Sequence, residues 1–287
     1  MAASAVARAQ QVREGAMLPR ITPAVCLYSK VLVKVGYIDL PMIVKALGFD
    51  GVDLSVEPDG HVIPSKAGNQ LMPALEACTG IGLDVPMITT VLTRAQDRDS
   101  QEVLGLANYI QVPFFRPGYF KCTGSVETEM RLPYVQRDIG MLSQLGRFTK
   151  MAMGVQNYMD GAEGAKVADI ERVIRPLDAH WVGFDFDVAY ATREGGAAGF
   201  EGPLAVALPR LKIVTLRDFQ WEEARTAKPC PLGEGVVDFP KFFAALAKAR
   251  FAGPVTLPVD HSPTGEVEAI KHDLAFVRKQ IAAAYGR

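Results

Sequence analysis

Eight short runs of β-branched and apolar residues, each followed by a longer amphipathic segment, constrain this chain more than any other feature. The runs are Ile21–Tyr28, Gly51–Ser55, Asp84–Thr90, Tyr109–Phe115, Met151–Asn157, Trp181–Asp187, Leu211–Asp218 and Pro254–Asp260. Between and after them, helical spacing of apolar residues predicts helices over Ile38–Leu47, Asn69–Thr79, Ser100–Ala107, Val126–Thr149, Val167–Ile174, Pro203–Leu208, Phe239–Ala249 and Glu266–Ala284. Gly48 closes the first of these, and Pro133 marks the start of the fourth or a kink in it. Strand and helix in strict alternation predict βα units and a parallel sheet. Eight such units predict a closed α/β barrel, (β/α)8, rather than an open doubly wound sheet. The absence of G-x-G-x-x-G after the first run argues the same way. With 287 residues, a single barrel domain over 21–287 is expected, preceded by an Ala-rich tail over 1–20.

Composition narrows the partners. The formal net charge is −1, so no bulk attraction to nucleic acid or to an anionic membrane surface is expected. No apolar stretch of about 18 residues suggests a membrane span. The four cysteines, Cys26, Cys78, Cys122 and Cys230, form no C-x-x-C pair and read as reduced, mostly buried thiols. Ala7-Arg8-Ala9 fits the A-x-A pattern before a signal-peptidase cut, without the charged and apolar regions that normally precede it. The start is therefore either a disordered tail on a cytoplasmic protein or the remnant of an export signal on a periplasmic one.

In such a barrel the chemistry sits at the C-terminal ends of the strands. Those ends carry Asp53 and Ser55, Thr89 and Thr90, Arg116, Gln156 and Asn157, Asp185 and Asp187, Tyr190, Thr215, Arg217 and Asp218, and Asp260 and His261. Residues two apart share a face, so Asp185 with Asp187, and Thr215 with Arg217, point the same way. A carboxylate inside an apolar strand needs a partner or a role. Either the aspartates are functional, or Arg217 only neutralises them while Asp187 or Asp218 caps a loop. His61, in the loop after the second run, and His261 stand open between a role and none.

These residues resemble a family. Gly48-Phe49-Asp50-Gly51-Val52-Asp53-Leu54 resembles the G-[FY]-D-G-V-[ED]-L second strand of the sugar phosphate isomerase/epimerase superfamily, the xylose isomerase-like TIM barrels. Asp59-Gly60-His61-Val62 is similar to the G-G-H-V loop of one divergent bacterial branch, and Arg116 with Gly118 to its R-x-G segment. Gln156-Asn157 matches its Q-N turn. Asp187 through Gly196 resembles D-x-x-H-A-x-x-E-G-G, with Tyr190 in place of the histidine. Thr215 through Trp221 resembles H-x-K-D-x-x-W, and Pro231-Leu232-Gly233-Glu234-Gly235 matches P-L-G-x-G. Phe251–Leu257 is similar to the final strand.

The resemblance implies a sugar-handling barrel with a divalent metal, Mn or Zn, held by four strand-end ligands. Two of these, in the epimerases, are glutamates that move the proton. This chain departs there: Gln156, Thr215 and Pro258 stand at three ligand positions, and only Asp187 keeps a ligand type, with Asp185 the other candidate. Gln156 offers no basic lone pair and Pro258 no side-chain donor.

Three readings follow. The first is a sugar isomerase- or epimerase-like enzyme, with lyase or hydrolase chemistry as variants, acting on a carbohydrate or keto-sugar without a tightly held metal. In it Asp187 is the base, Arg217 and His61 stabilise an oxyanion, and the substrate meets Arg116, Gln156, Asn157, Asp185, Tyr190, Asp218, Trp221, Asp260 and His261. The second is a metal-dependent isomerase with other ligands, such as Asp185 or Asp260. The third is a sugar-binding barrel that has lost the metal and the reaction. A homodimer fits the base rate for such barrels.

Overall fold

The computed structural model describes residues 22–122, 126–160, 163–222 and 226–286; the N-terminal tail and Ile21 lie outside them. Eight parallel strands close into a barrel: β1 (Ala24–Tyr28), β2 (Gly51–Val56), β3 (Asp84–Thr90), β4 (Phe114–Arg116), β5 (Ala152–Gln156), β8 (Val182–Asp187), β9 (Leu211–Thr215) and β12 (Pro254–Leu257). Neighbours in sequence are neighbours round the barrel, and β12 pairs with β1 to complete the circle. Two antiparallel hairpins stand outside it: β6 (Tyr158–Asp160) with β7 (Glu163–Ala165), and β10 (Asp218–Trp221) with β11 (Ala227–Cys230).

The helices wrap the outside. They are α1 (Leu40–Leu47), α2 (Ala67–Gly80), α3 (Arg98–Tyr109), α4 (Val126–Phe148), α5 (Val167–Ile174), α6 (Val188–Gly195), α7 (Glu201–Ala207), α8 (Phe239–Lys248) and α9 (Val267–Tyr285). Gly48 ends α1 in the left-handed region at φ +95°, a conformation a Cβ would disfavour. Among the described residues no helix is long and apolar enough to cross a membrane. All four cysteines are buried and none is in a disulfide.

Strand alternation sorts each buried strand into two faces. Val52, Leu54 and Val56 of β2, and Phe184 and Phe186 of β8, point outward into the apolar layer under the helices. There Phe186 stacks on Phe242 of α8 with ring centroids 6.0 Å apart. The other set points inward, and small residues make room for polar ones. A methyl at Gly154 would meet Ile213 at 2.8 Å and the Asp185 Cβ at 3.2 Å, so glycine there admits the carboxylate beside it.

Several boundaries differ from expectation: β9 ends at Thr215 and β12 at Leu257, so Arg217, Asp218 and Asp260 stand beyond their strands. Tyr109 belongs to the end of α3, and the fourth strand is only Phe114–Arg116. Gln111, at φ +61°, and Pro113, which lacks an N–H, hold the chain out of the sheet until then. Pro133 neither starts nor ends α4, which begins at Val126 and runs through it. The segment after Asp187 is not loop but α6, capped by Asp187 itself, whose carboxylate accepts the Tyr190 N–H at 3.0 Å.

Candidate active site

The inward residues at the strand C-termini meet over the barrel axis. Gln156 lies in register with Asp185, and Asp187 with Thr215. Thr215 in turn pairs with Thr256, and Asp53 with both Tyr28 and Met87. Asp185 and Asp187 do share a face, as alternation requires, and both are fully buried.

The lowest layer is a hydrogen-bonded plug. Asp53 Oδ2 accepts from Thr89 Oγ1 at 3.0 Å and Thr256 Oγ1 at 2.9 Å, while its Oδ1 has no partner among the described residues. Burial pushes its carboxyl up to about 7, against the pull of Arg116. Asp185 accepts from Thr215 Oγ1 at 2.7 Å and Gln156 Nε2 at 3.3 Å, and burial pushes it to about 6, again opposed by Arg116.

These shifts predict a pH dependence. Between the ordinary value of 3.8 and about 7, folded Asp53 holds a proton that the unfolded chain has released. The folded state then binds more protons, so stability falls as pH rises through that window. Urea unfolding of the wild type should show this loss between about pH 5 and pH 7.5, and Asp53→Asn should remove most of the part above about pH 6, leaving the part due to Asp185. An unchanged slope in that variant would mean the proton sits elsewhere.

Above the plug lies Arg116, itself buried. One Nη1 hydrogen donates to Gln156 Oε1 at 3.1 Å, an oxygen that also accepts the Tyr119 hydroxyl at 3.1 Å. The guanidinium lies 5.7 Å from the ring centroids of both Tyr28 and Tyr119, and 3.8 Å from Glu57. Glu57 accepts the Tyr28 hydroxyl at 2.6 Å and Lys30 Nζ at 3.0 Å, and Lys30 also reaches Asp59 at 2.8 Å. Of this group the sequence singled out only Arg116 and Gln156. Tyr28 ends β1 and Glu57 opens the loop after β2, so their positions were the available signal.

The second cluster centres on Arg217. Its guanidinium binds Asp187 through Nη1 and Asp260 through Nε. Asp187 is closed off behind it, with Oδ1 on the Tyr190 N–H and Oδ2 on Arg217. Burial raises the Asp187 carboxyl and the adjacent guanidinium holds it down. Asn157 fixes this strand end by exchanging two hydrogen bonds with the Asp187 backbone, at 2.8 and 3.0 Å. The Tyr190 ring lies 6.0 Å from the Arg217 guanidinium and 5.5 Å from that of Arg193. Next to them opens a pocket of about 130 Å³, whose walls include Tyr190, Arg193, Arg217, Asp260 and His261 but not Asp187.

The remaining candidates have defined places. His61 lies under the β2 loop, its Nδ1 3.4 Å from Ser55 Oγ, and burial lowers its pKa. It is three strands from Arg217 round the barrel, so the structure joins Asp187 with Arg217 but leaves His61 apart. His261 Nε2 pairs with Asp273 at 2.9 Å, and Asp273 also accepts the Leu232 N–H at 3.0 Å. Asp218 accepts four backbone N–H groups, from Phe219, Gly233, Gly235 and Val237, at 2.9 to 3.2 Å. Gly235 must be glycine here, because a Cβ would collide with the Asp218 carboxylate and the Phe219 carbonyl. Trp221 is half exposed on β10, packed edge-on against Phe219 at 4.9 Å.

The metal implied by the resemblance does not fit this donor set. The Gln156 amide is engaged by Arg116, Tyr119, Asp185 and Thr215, and the Thr215 hydroxyl by Asp185. Pro258 offers no side-chain ligand atom, and the Asp187 oxygens are taken by Arg217 and Tyr190. Among the described residues no group of three or more His, Cys, Asp or Glu side chains could hold a metal ion.

Comparison with known proteins agrees with the architecture. No curated protein matches the chain. Solved structures do. A xylose isomerase domain protein from Planctomyces limnophilus superposes with a TM-score of 0.72 at 14% identity, over 93% of this chain and 99% of that one. A xylose isomerase-like TIM barrel protein from Mycobacterium smegmatis, solved in complex with magnesium, gives 0.71 at 14%, over 94% and 100%. A D-allulose 3-epimerase from Methylomonas sp., in complex with D-allulose, gives 0.66 at 13%, over 91% and 98%. The profile of one family matches residues 41–280, nearly the whole barrel, and the chain belongs to that family, the xylose isomerase-like TIM barrels.

Proposed function

We propose that this chain is a carbohydrate isomerase or epimerase that acts on a keto-sugar in the pocket beside Arg217. The observation that carries this reading is a partly buried guanidinium and a carboxylate, Arg217 and Asp260, side by side in one pocket wall. A guanidinium has five N–H groups. Arg217 directs one to Asp187 and one to Asp260, which leaves others for the carbonyl and neighbouring hydroxyl of a bound sugar. Asp260, half exposed and in the wall, takes the proton from the carbon α to that carbonyl. The C–H electron pair moves into the enediolate, whose oxyanion Arg217 stabilises; Asp260 then returns the proton to the adjacent carbon, giving the aldose, while inversion takes a proton from water on the opposite face. Asp187 holds Arg217 in place. Tyr190 and His261, both in the pocket wall, contact the sugar.

Supporting this reading, one structure of similar fold is an epimerase holding D-allulose. A panel of keto-sugars incubated with the protein in D2O tests it. Deuterium incorporated α to the carbonyl, together with a new epimer or aldose, is the expected result. Saturable sugar binding with no exchange would replace the enzyme with a sugar-binding barrel. No binding across the panel would remove both.

A further inference from the structure

The four positions reserved for a metal fail as a donor set, yet two carboxylates still converge at this end of the barrel. Asp187 is fully buried and Asp260 lies above it, and Arg217 sits between them, its side chain only 17% exposed. Asp187 and Asp260 come from neighbouring regions of the rim, at the end of β8 and beyond β12, with Arg217 beyond the intervening β9. Two carboxylates facing one point with nothing between them repel each other and invite a cation. Here that cation is a side chain. A guanidinium stays charged under all ordinary conditions and cannot be lost to a chelator.

We propose that Arg217 is the built-in cation of this site. It fills the place where the family's resemblance calls for a divalent ion, so the wild-type chain takes up no metal there. The Asp187–Asp260 pair becomes a divalent-cation site only once the guanidinium is removed. The geometry supports both halves. A second cation placed between these carboxylates would face Arg217 at contact distance, and the charges facing it from the packed elements leave it little compensation. Asp185 is turned to Thr215 and Gln156, and Asp273 to His261 and Leu232. Arg193 and His261, in the same pocket wall, add no negative charge. Without Arg217, two carboxylate groups remain, oxygen donors of the kind that Mn2+ and Mg2+ accept.

The test is metal binding, which reads out independently of turnover; failure of the keto-sugar reading would leave it standing. Wild-type protein produced in Mn- and Zn-supplemented medium should carry well under one metal per chain by mass spectrometry. Its melting temperature should not respond to MnCl2 or to EDTA. Arg217→Met, which keeps the apolar stem, should be stabilised by several degrees when Mn2+ is about 100-fold above its Kd. Asp187→Asn in that background should abolish the response. The proposal is overturned if wild type holds near one equivalent of metal, if Mn2+ stabilises both proteins alike, or if Arg217→Met is as indifferent as wild type. Should Arg217→Met not fold, Arg217→Gln takes its place in the same Mn2+ series, and the proposal falls if that variant is as indifferent as wild type or if wild type holds one equivalent.

Discussion

Arg116→Met is expected to destabilise the barrel by about 3–5 kcal/mol at neutral pH, the usual penalty for leaving buried charge without its partner. Arg116 is a buried cation at the barrel interior, with Asp53, Asp185 and Glu57 within its electrostatic reach. Methionine fills much of the same volume, so the loss does not come from a cavity. It comes from two buried carboxyls that lose the largest charge acting on them, leaving threonine hydroxyls and, for Asp185, Arg217, and from Gln156 Oε1, which loses a donor. The sign with pH follows. Without Arg116 both aspartates titrate still higher, so the folded state keeps its protons to a higher pH than the unfolded chain does. The penalty is then small near pH 5, where the carboxyls stay protonated, and large near pH 8. Urea unfolding of wild type and variant at both pH values measures it. Arg116→Met combined with Asp185→Asn should recover part of the loss, which a double-mutant cycle isolates. A penalty equal at both pH values would mean that packing, not charge, holds this layer together.

Once a keto-sugar substrate is found by deuterium exchange, Asp260→Asn should lower kcat by about 10²–10⁴-fold, the range for loss of a general base. Asparagine keeps the shape and still accepts the Arg217 N–H, but it has no basic lone pair. Deuterium incorporation should fall in step with turnover. Asp187→Asn should behave differently. Asp187 is behind Arg217 and absent from the pocket wall, so its loss loosens the guanidinium rather than removing the proton acceptor. KM should then rise along with a drop in kcat, and the melting temperature should change as well. If Asp187→Asn stops exchange while Asp260→Asn leaves it intact, the two roles are reversed and the buried aspartate is the base.

The barrel was legible because its signal is redundant. β3 spans Asp84–Thr90 and α5 spans Val167–Ile174, the ranges that apolar periodicity predicts, and β2 and β8 differ by a single residue. The two hairpins and α6 were not legible. Each is short, and α6 carries Tyr190, Arg193 and Glu194 within eight residues, so no apolar stripe announces it. The one local cue was Asp187 three residues before Tyr190, an N-cap spacing.

The site was legible in part for the same physical reason. Alternation put Asp185 with Asp187 on one face and paired Thr215 with Arg217, although β9 ends at Thr215 and Arg217 stands beyond it. It could not reveal that Arg217 binds both Asp187 and Asp260, because that contact joins residues 30 and 43 positions apart. Nor could it separate His61 from the cluster, since a loop histidine has no periodicity to orient it. Glu57, Tyr28 and Lys30 escaped notice because each is ordinary in its own segment, and only closure of β1 against β2 brings them together.

The Asp218 clamp has a mechanical corollary. One carboxylate ties down residues 219, 233, 235 and 237, both feet of the long excursion that follows β9. Arg217 is covalently next to that anchor, so its aim is insulated from whatever happens at the far end of the β10–β11 hairpin. Lengthening the hairpin carries only a small loop-closure cost, about 0.6 kcal/mol for each doubling. The arm bearing Trp221 is thus hinged on a fixed pivot, and a change in hairpin length should leave the position of Arg217 unaltered.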